Sequence, residues 1–131
     1  MKVGDAIERS WTVEPAHLAT AYGSGTVDVL ATPALIAFCE ETSRAIVDPE
    51  LPAGQGTVGT AIDFRHLAPT PPGVRVTVVA RLIEIDERRL CFEVIARDPI
   101  EEVGRGTHER FIIDRRRFRD RVLDKGRSAA A

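Results

Sequence analysis

The sequence predicts an α+β domain in which one long buried central helix is wrapped by a curved antiparallel sheet of about five or six strands. Two observations carry that expectation. The stretch beginning at Thr32 reads as a helix whose first two turns, Ala34-Leu35-Ile36-Ala37-Phe38-Cys39, are apolar on every side. A helix apolar all round is usually buried all round. Beyond it the period changes to strict alternation, in strands joined by short turns, which describes an antiparallel meander.

The elements follow in chain order. Ala6 to Glu14 alternates loosely, with Ile7, Trp11 and Val13 on one parity, and ends at Pro15, which suits an opening strand. Residues 15–31 contain the flexible Gly23-Ser24-Gly25 and then the apolar stretch Val27 to Ala31. Thr32 is a good N-cap, Pro33 fits the first helical position, and the helix continues to Val47 before Asp48-Pro49 breaks it. Thr57 to Leu67 reads as a strand, with Val58, Ile62, Phe64 and His66 on the helix-facing parity and Gly59 on the other. Pro69-Thr70-Pro71-Pro72-Gly73 is a rigid turn. Val74, Val76, Val78, Ala80 and Leu82 form one apolar face, and Leu90, Phe92, Val94 and Ala96 form the next. Val103 to Ile113 is the last strand, and its Gly104 and Gly106 point to a bulge or a close backbone approach. A polar surface helix is expected from Asp114 to Lys125. Residues 1–125 thus form one domain, and 126–131 a flexible tail.

Composition narrows the function. The chain has 131 residues, 44% of them hydrophobic and 29% charged, enough for a core without staples. A net charge of −2 argues against a nucleic-acid partner. The longest apolar run, Pro33 to Cys39, is far short of a membrane span, and no secretory signal is visible. Cys39 and Cys91 sit in apolar runs and form no zinc motif, so neither a metal nor another cofactor is expected and a cytoplasmic location is the default.

A flat sheet would leave an all-apolar helix half exposed, whereas a curved sheet wrapped around it is the hotdog arrangement. Three stretches carry a closer likeness. Val29-Leu30-Ala31-Thr32 running to Glu40 is the first. Val58-Gly59-Thr60-Ala61-Ile62 to His66, with the turn Thr70-Pro71-Pro72-Gly73, is the second, and Gly106-Thr107-His108-Glu109-Arg110 the third. On these the chain resembles the fluoroacetyl-CoA thioesterase-like branch of the hotdog thioesterases, over about three quarters of its length. The resemblance implies an acyl-CoA thioesterase whose catalytic threonine, glutamate and histidine fall on Thr32, Glu40 and His66. Residues that help hold the acyl group fall on Gly59 and Arg110. It also implies a homodimer pairing two sheets edge to edge. Two features depart from the family: Pro33 stands in place of a glycine, and the lid stretch Ala19 to Asp28 contains no phenylalanine.

The residues by themselves leave alternatives open. Thr32 at a helix start sits at the positive end of the macrodipole, where it can serve chemistry or simply cap. Glu40, following apolar turns, needs a partner; it can be a catalytic carboxylate or a surface residue pairing with Arg44 at i+4. His66 shares the helix-facing parity and lies at a strand end, as a cleft residue or a satisfied core histidine. His108 reads as structural and His17 as a surface residue. Arg65, Arg75, Arg81 and Arg115-Arg116-Arg117 are candidates for the CoA phosphates, or a solvated face. Thr32 and Glu40 are about 12 Å apart along a straight helix, so a substrate or a second subunit must join them. A non-catalytic acyl-CoA-binding hotdog domain and a hotdog enoyl-CoA hydratase are the rival functions.

Overall fold

The computed structural model describes residues 1–130. The first strand, β1, spans Ala6–Thr12; a single 3-10 turn at Pro15–His17 and the short helix α1, Ala19–Tyr22, follow. The long helix α2 spans Thr32–Val47 and runs into a second 3-10 turn at Asp48–Glu50. Four strands complete the sheet: β2 Gln55–His66, β3 Arg75–Asp86, β4 Arg89–Arg97 and β5 Glu102–Asp114. The helix α3 covers Arg115–Ala130, extending past Lys125, where the sequence pattern places its end. Among the described residues no helix is long and apolar enough to cross a membrane.

All neighbouring strands are antiparallel, in the order β1-β3-β4-β5-β2. Val76, Val78, Ala80 and Leu82 of β3 and Leu90, Phe92, Val94 and Ala96 of β4 are fully buried, as their alternation predicts. They pack on Ala34, Leu35, Phe38, Cys39, Ile46 and Val47 of α2. Trp11 stacks on Phe38 with ring centroids 4.4 Å apart, and the edge of His17 meets the same ring, so His17 is half-buried rather than a free surface residue.

Two expectations change. The sheet covers one flank of α2, while Pro33, Ala37, Glu41 and Arg44 on the other flank are exposed in the single chain. The helix is therefore not buried all round, and its small apolar residues offer a surface for something else to cover. The second change concerns β2. Gly59 pairs with Arg110 and Ala61 with Glu109, leaving Thr60 as the extra residue of a bulge. An extra residue reverses the in-out alternation. Ile62, Phe64 and His66 keep the helix-facing side, but Gly59 joins them there, and Val58 moves to the outer face opposite Phe111.

Candidate active site

Thr32 is the first residue of α2 rather than its cap. The cap position belongs to Ala31, with no side-chain hydrogen bond to the helix amides. The Thr32 hydroxyl is thereby released, and Oγ1 lies 2.8 Å from Nδ1 of His66. Among the described residues no side chain caps the first-turn amides, and Pro33 contributes none.

His66 reaches this position because it alternates with Ile62 and Phe64 on the inner face of β2. Burial pushes its imidazole below the ordinary value of 6.5, and the backbone at Ala68 offsets only part of that. It is therefore neutral near pH 7 and able to accept a proton. Its Nε2 is buried without a hydrogen-bond partner among the described residues. The pair opens on a cavity of about 390 Å³, lined among others by Ala19, Gly25, Val27, Val29 and Leu30.

Glu40 lies two turns further along α2. It does not pair with Arg44, whose Nε binds Asp48 at 2.7 Å instead. Glu40 Oε2 faces Nη1 of Arg110 at 3.7 Å, an ion pair longer than a hydrogen bond. The Glu40 side chain is 44% exposed and that of Arg110 only 6%. Arg110 is held rigidly: its Nε donates to Thr57 Oγ1 at 2.8 Å and its Nη2 to the Thr57 carbonyl at 3.0 Å. Thr57 donates in turn to Asp48 at 2.6 Å. Burial works against the Arg110 cation, and the charges of Asp48 and Glu40 oppose that loss.

His108 completes this second cluster. Its Nδ1 lies 2.8 Å from the Ala61 carbonyl, which only a protonated nitrogen can satisfy, so Nε2 carries the lone pair that accepts from Arg110 Nη1 at 3.2 Å. Burial holds this imidazole, too, below the ordinary value. Gly59 closes the cluster. A methyl group there would stand 2.8 Å from Glu40 Oε2 and 3.2 Å from His108 Cε1. The absence of a side chain leaves a cavity of about 190 Å³ lined by Glu40, Gly59, Thr60, Ala61, Ile62 and His108.

The five residues singled out from the sequence thus fall into two groups within one chain. Thr32 meets His66, and Glu40 meets Gly59 and Arg110. The two cavities share no lining residue. The sequence offers no signal for Thr57 and Asp48; His108, read as structural, packs here against Arg110, and the signal for that was its place between the strand glycines and Arg110.

The chain is similar to known thioesterases. The family of fluoroacetyl-CoA-specific thioesterases matches residues 13–116. The fluoroacetyl-CoA thioesterase of Streptantibioticus cattleyicolor is 41% identical over 98 residues, 75% of this chain and 70% of that protein. A solved structure of a fluoroacetyl-CoA thioesterase superposes with a TM-score of 0.90 at 35% identity, covering 95% of this chain and 97% of the other. A hot-dog-like protein from Thermanaerovibrio acidaminovorans is 24% identical with a TM-score of 0.87, covering 94% and 91% of the two chains, and speaks for the fold alone.

Proposed function

This chain belongs to the fluoroacetyl-CoA-specific thioesterase family and is an acyl-CoA thioesterase; from that premise we propose that it hydrolyses small or medium acyl-CoA esters through Thr32, His66 and Glu40. The observation that carries the reading is the 2.8 Å contact between Thr32 Oγ1 and a neutral His66 Nδ1. A hydroxyl at that distance can pass its proton to the imidazole as it attacks a carbonyl. The thioester C–S bond then breaks, and the imidazolium returns the proton to the departing CoA thiolate. Glu40 takes a proton from water as the water attacks the acyl-Thr32 ester; the bond to Thr32 Oγ1 then breaks, and that proton passes to the departing oxygen, freeing the acid and restoring both Thr32 and the Glu40 carboxylate. Amides of the first turn of α2 are the donors for the developing oxyanion. Arg110 holds Glu40 and the acyl group.

The same reading includes a homodimer. The two groups cannot meet in one chain: Thr32 and Glu40 are about 12 Å apart along α2, and Gly59 and His66 are roughly 20 Å apart along β2. Edge strand β2 is long, and residues 59–63 are exposed along it. Paired antiparallel with a second copy and centred on Asp63, with the bulge residue Thr60 passed over, it would set Gly59 of one copy opposite His66 of the other. Each active site would then combine Thr32 and His66 of one subunit with Glu40, Gly59 and Arg110 of the other. The exposed Ala37 flank of α2 and the unpartnered His66 Nε2 are consistent with such an interface. The free thiols of Cys39 and Cys91 suit a cytoplasmic enzyme.

The test is release of free thiol from a panel of short, aryl and long acyl-CoAs by the wild type and His66→Ala. Turnover lost by orders of magnitude in the variant supports the reading, and the panel identifies the acyl class. A folded wild type that binds CoA esters without turning any over would instead indicate a binding domain.

A further inference from the structure

We propose that Glu109 and Thr60, whose side chains meet on the face of the sheet opposite the active site, are positioning residues that hold the catalytic geometry by locking the β2 bulge. The proposal rests on the assignment above of Glu40, Gly59 and Arg110 to the site. Gly59 and His66 differ by an odd number of positions, so on a regular strand they would face opposite ways. Only the extra residue, Thr60, puts both on the inner face. Whatever fixes the bulge therefore fixes both halves of the chemistry.

Two consecutive residues of β5 clasp it, one from each side. On the inner face, His108 Nδ1 donates to the carbonyl of Ala61, the residue after the bulge. On the outer face, Thr60 Oγ1 donates to Glu109 Oε2 at 2.6 Å. The other oxygen of Glu109 accepts from Arg89 Nε at 2.6 Å, and Arg89 reaches on to Glu84. A hydrogen-bonded row thus crosses the outer face from β3 through β4 and β5 to β2 and ends on the bulge residue. The contacts with Thr60 and Arg89 hold the Glu109 carboxyl below the usual range, so it remains an anion able to accept both. An isolated exposed pair contributes little stability, so the role of this row is register rather than fold. Bulges next to active sites commonly aim a side chain in this way.

The experiment compares Thr60→Val, Thr60→Ser and Glu109→Ala with Ser10→Ala. Ser10 shares a 2.8 Å outer-face hydroxyl bond with Thr77 on the far side of the sheet, so its variant controls for the loss of such a bond alone. Readouts are kcat and KM for the preferred acyl-CoA, melting temperature, and the ¹⁵N imidazole signals of His108. We expect Thr60→Val and Glu109→Ala to lose about tenfold in kcat with KM little changed, a displacement of well under 1 Å being enough for that. Thr60→Ser should restore kcat, and Ser10→Ala should leave it unaltered. The His108 Nδ1–H signal should move in the two damaged variants only. Wild-type kcat and an unmoved His108 signal in Thr60→Val would overturn the proposal, as would an equal loss of kcat in Ser10→Ala. The imidazole signal reads the bulge without turnover, so a wild type inactive on every ester would refute the reaction and still leave the clasp to be decided.

Discussion

The two ends of the central helix are built in opposite ways. At its N-terminus Thr32 and His66 form a sparse pair: one contact, an unpartnered ring nitrogen and a wide open cavity. Two turns on, Arg110 is surrounded by Thr57, His108 and Glu40, and Asp48 and Arg44 extend the network behind it. The sparse end has the groups a reaction moves, a hydroxyl and a neutral base. The dense end has a fixed charge whose surroundings cannot easily change. A site assembled from one of each combines a mobile proton with a rigid electrostatic frame.

That contrast can be broken in graded steps. The largest effect belongs to the sparse end. His66→Ala should lower kcat by roughly a hundred- to ten-thousand-fold, the range of general acid–base contributions, while the melting temperature stays near wild type, because the ring packs at a half-exposed strand end. Arg110→Ala should behave differently, losing activity and also about 2 kcal/mol of stability, since buried hydrogen bonds to Thr57 and His108 go with it; urea denaturation measures the second loss. Gly59→Ala comes next. Its methyl group crowds the Glu40 carboxylate, so kcat/KM should fall by about ten- to a hundredfold. The melting temperature should change little, because the far end of a flexible side chain can give way.

The smallest expected effect is that of pH. Burial lowers both His66 and His108 from 6.5, so each binds its proton more weakly folded than unfolded. Neutral pH carries no penalty from either ring. As pH falls through 6.5 the unfolded chain takes up protons first and stability declines, until the folded-state values are passed. Activity should fall on the acid side with an apparent pKa below 6.5, and replacing His66 should remove that limb from the rate profile. A profile flat from pH 7 to well below 6 would deny the base its assigned role.

Much of the fold was legible because burial imposed a period. The alternation of β3 and β4 is the alternation of a half-buried strand, and the observed inner faces match it at every expected position but Val74, which lies before β3 and is only partly buried. Two features were not legible. The bulge at Thr60 leaves no mark in the sequence except a glycine beside it, and it inverts the parity on which Gly59 and Val58 were assigned. The cap at Thr32 follows a sound local preference, but a tertiary partner, His66, outbids the helix amides for the hydroxyl. The candidate site residues come from motif resemblance more than from local physics. His108 shows why: an imidazole on a buried strand face is indistinguishable from a core histidine until the carbonyl and guanidinium around it are known.

Subunit complementation tests whether each active site takes its sparse half from one subunit and its dense half from the other. Thr32→Ala and Glu40→Ala homodimers are each expected to be inactive. Unfolded together and refolded as a mixture, they should form mixed dimers in which one site keeps both Thr32 and Glu40. Random reassortment would then restore about a quarter of wild-type turnover. A mixture that forms mixed dimers yet stays as inactive as its components would contradict the account and return the whole site to a single chain.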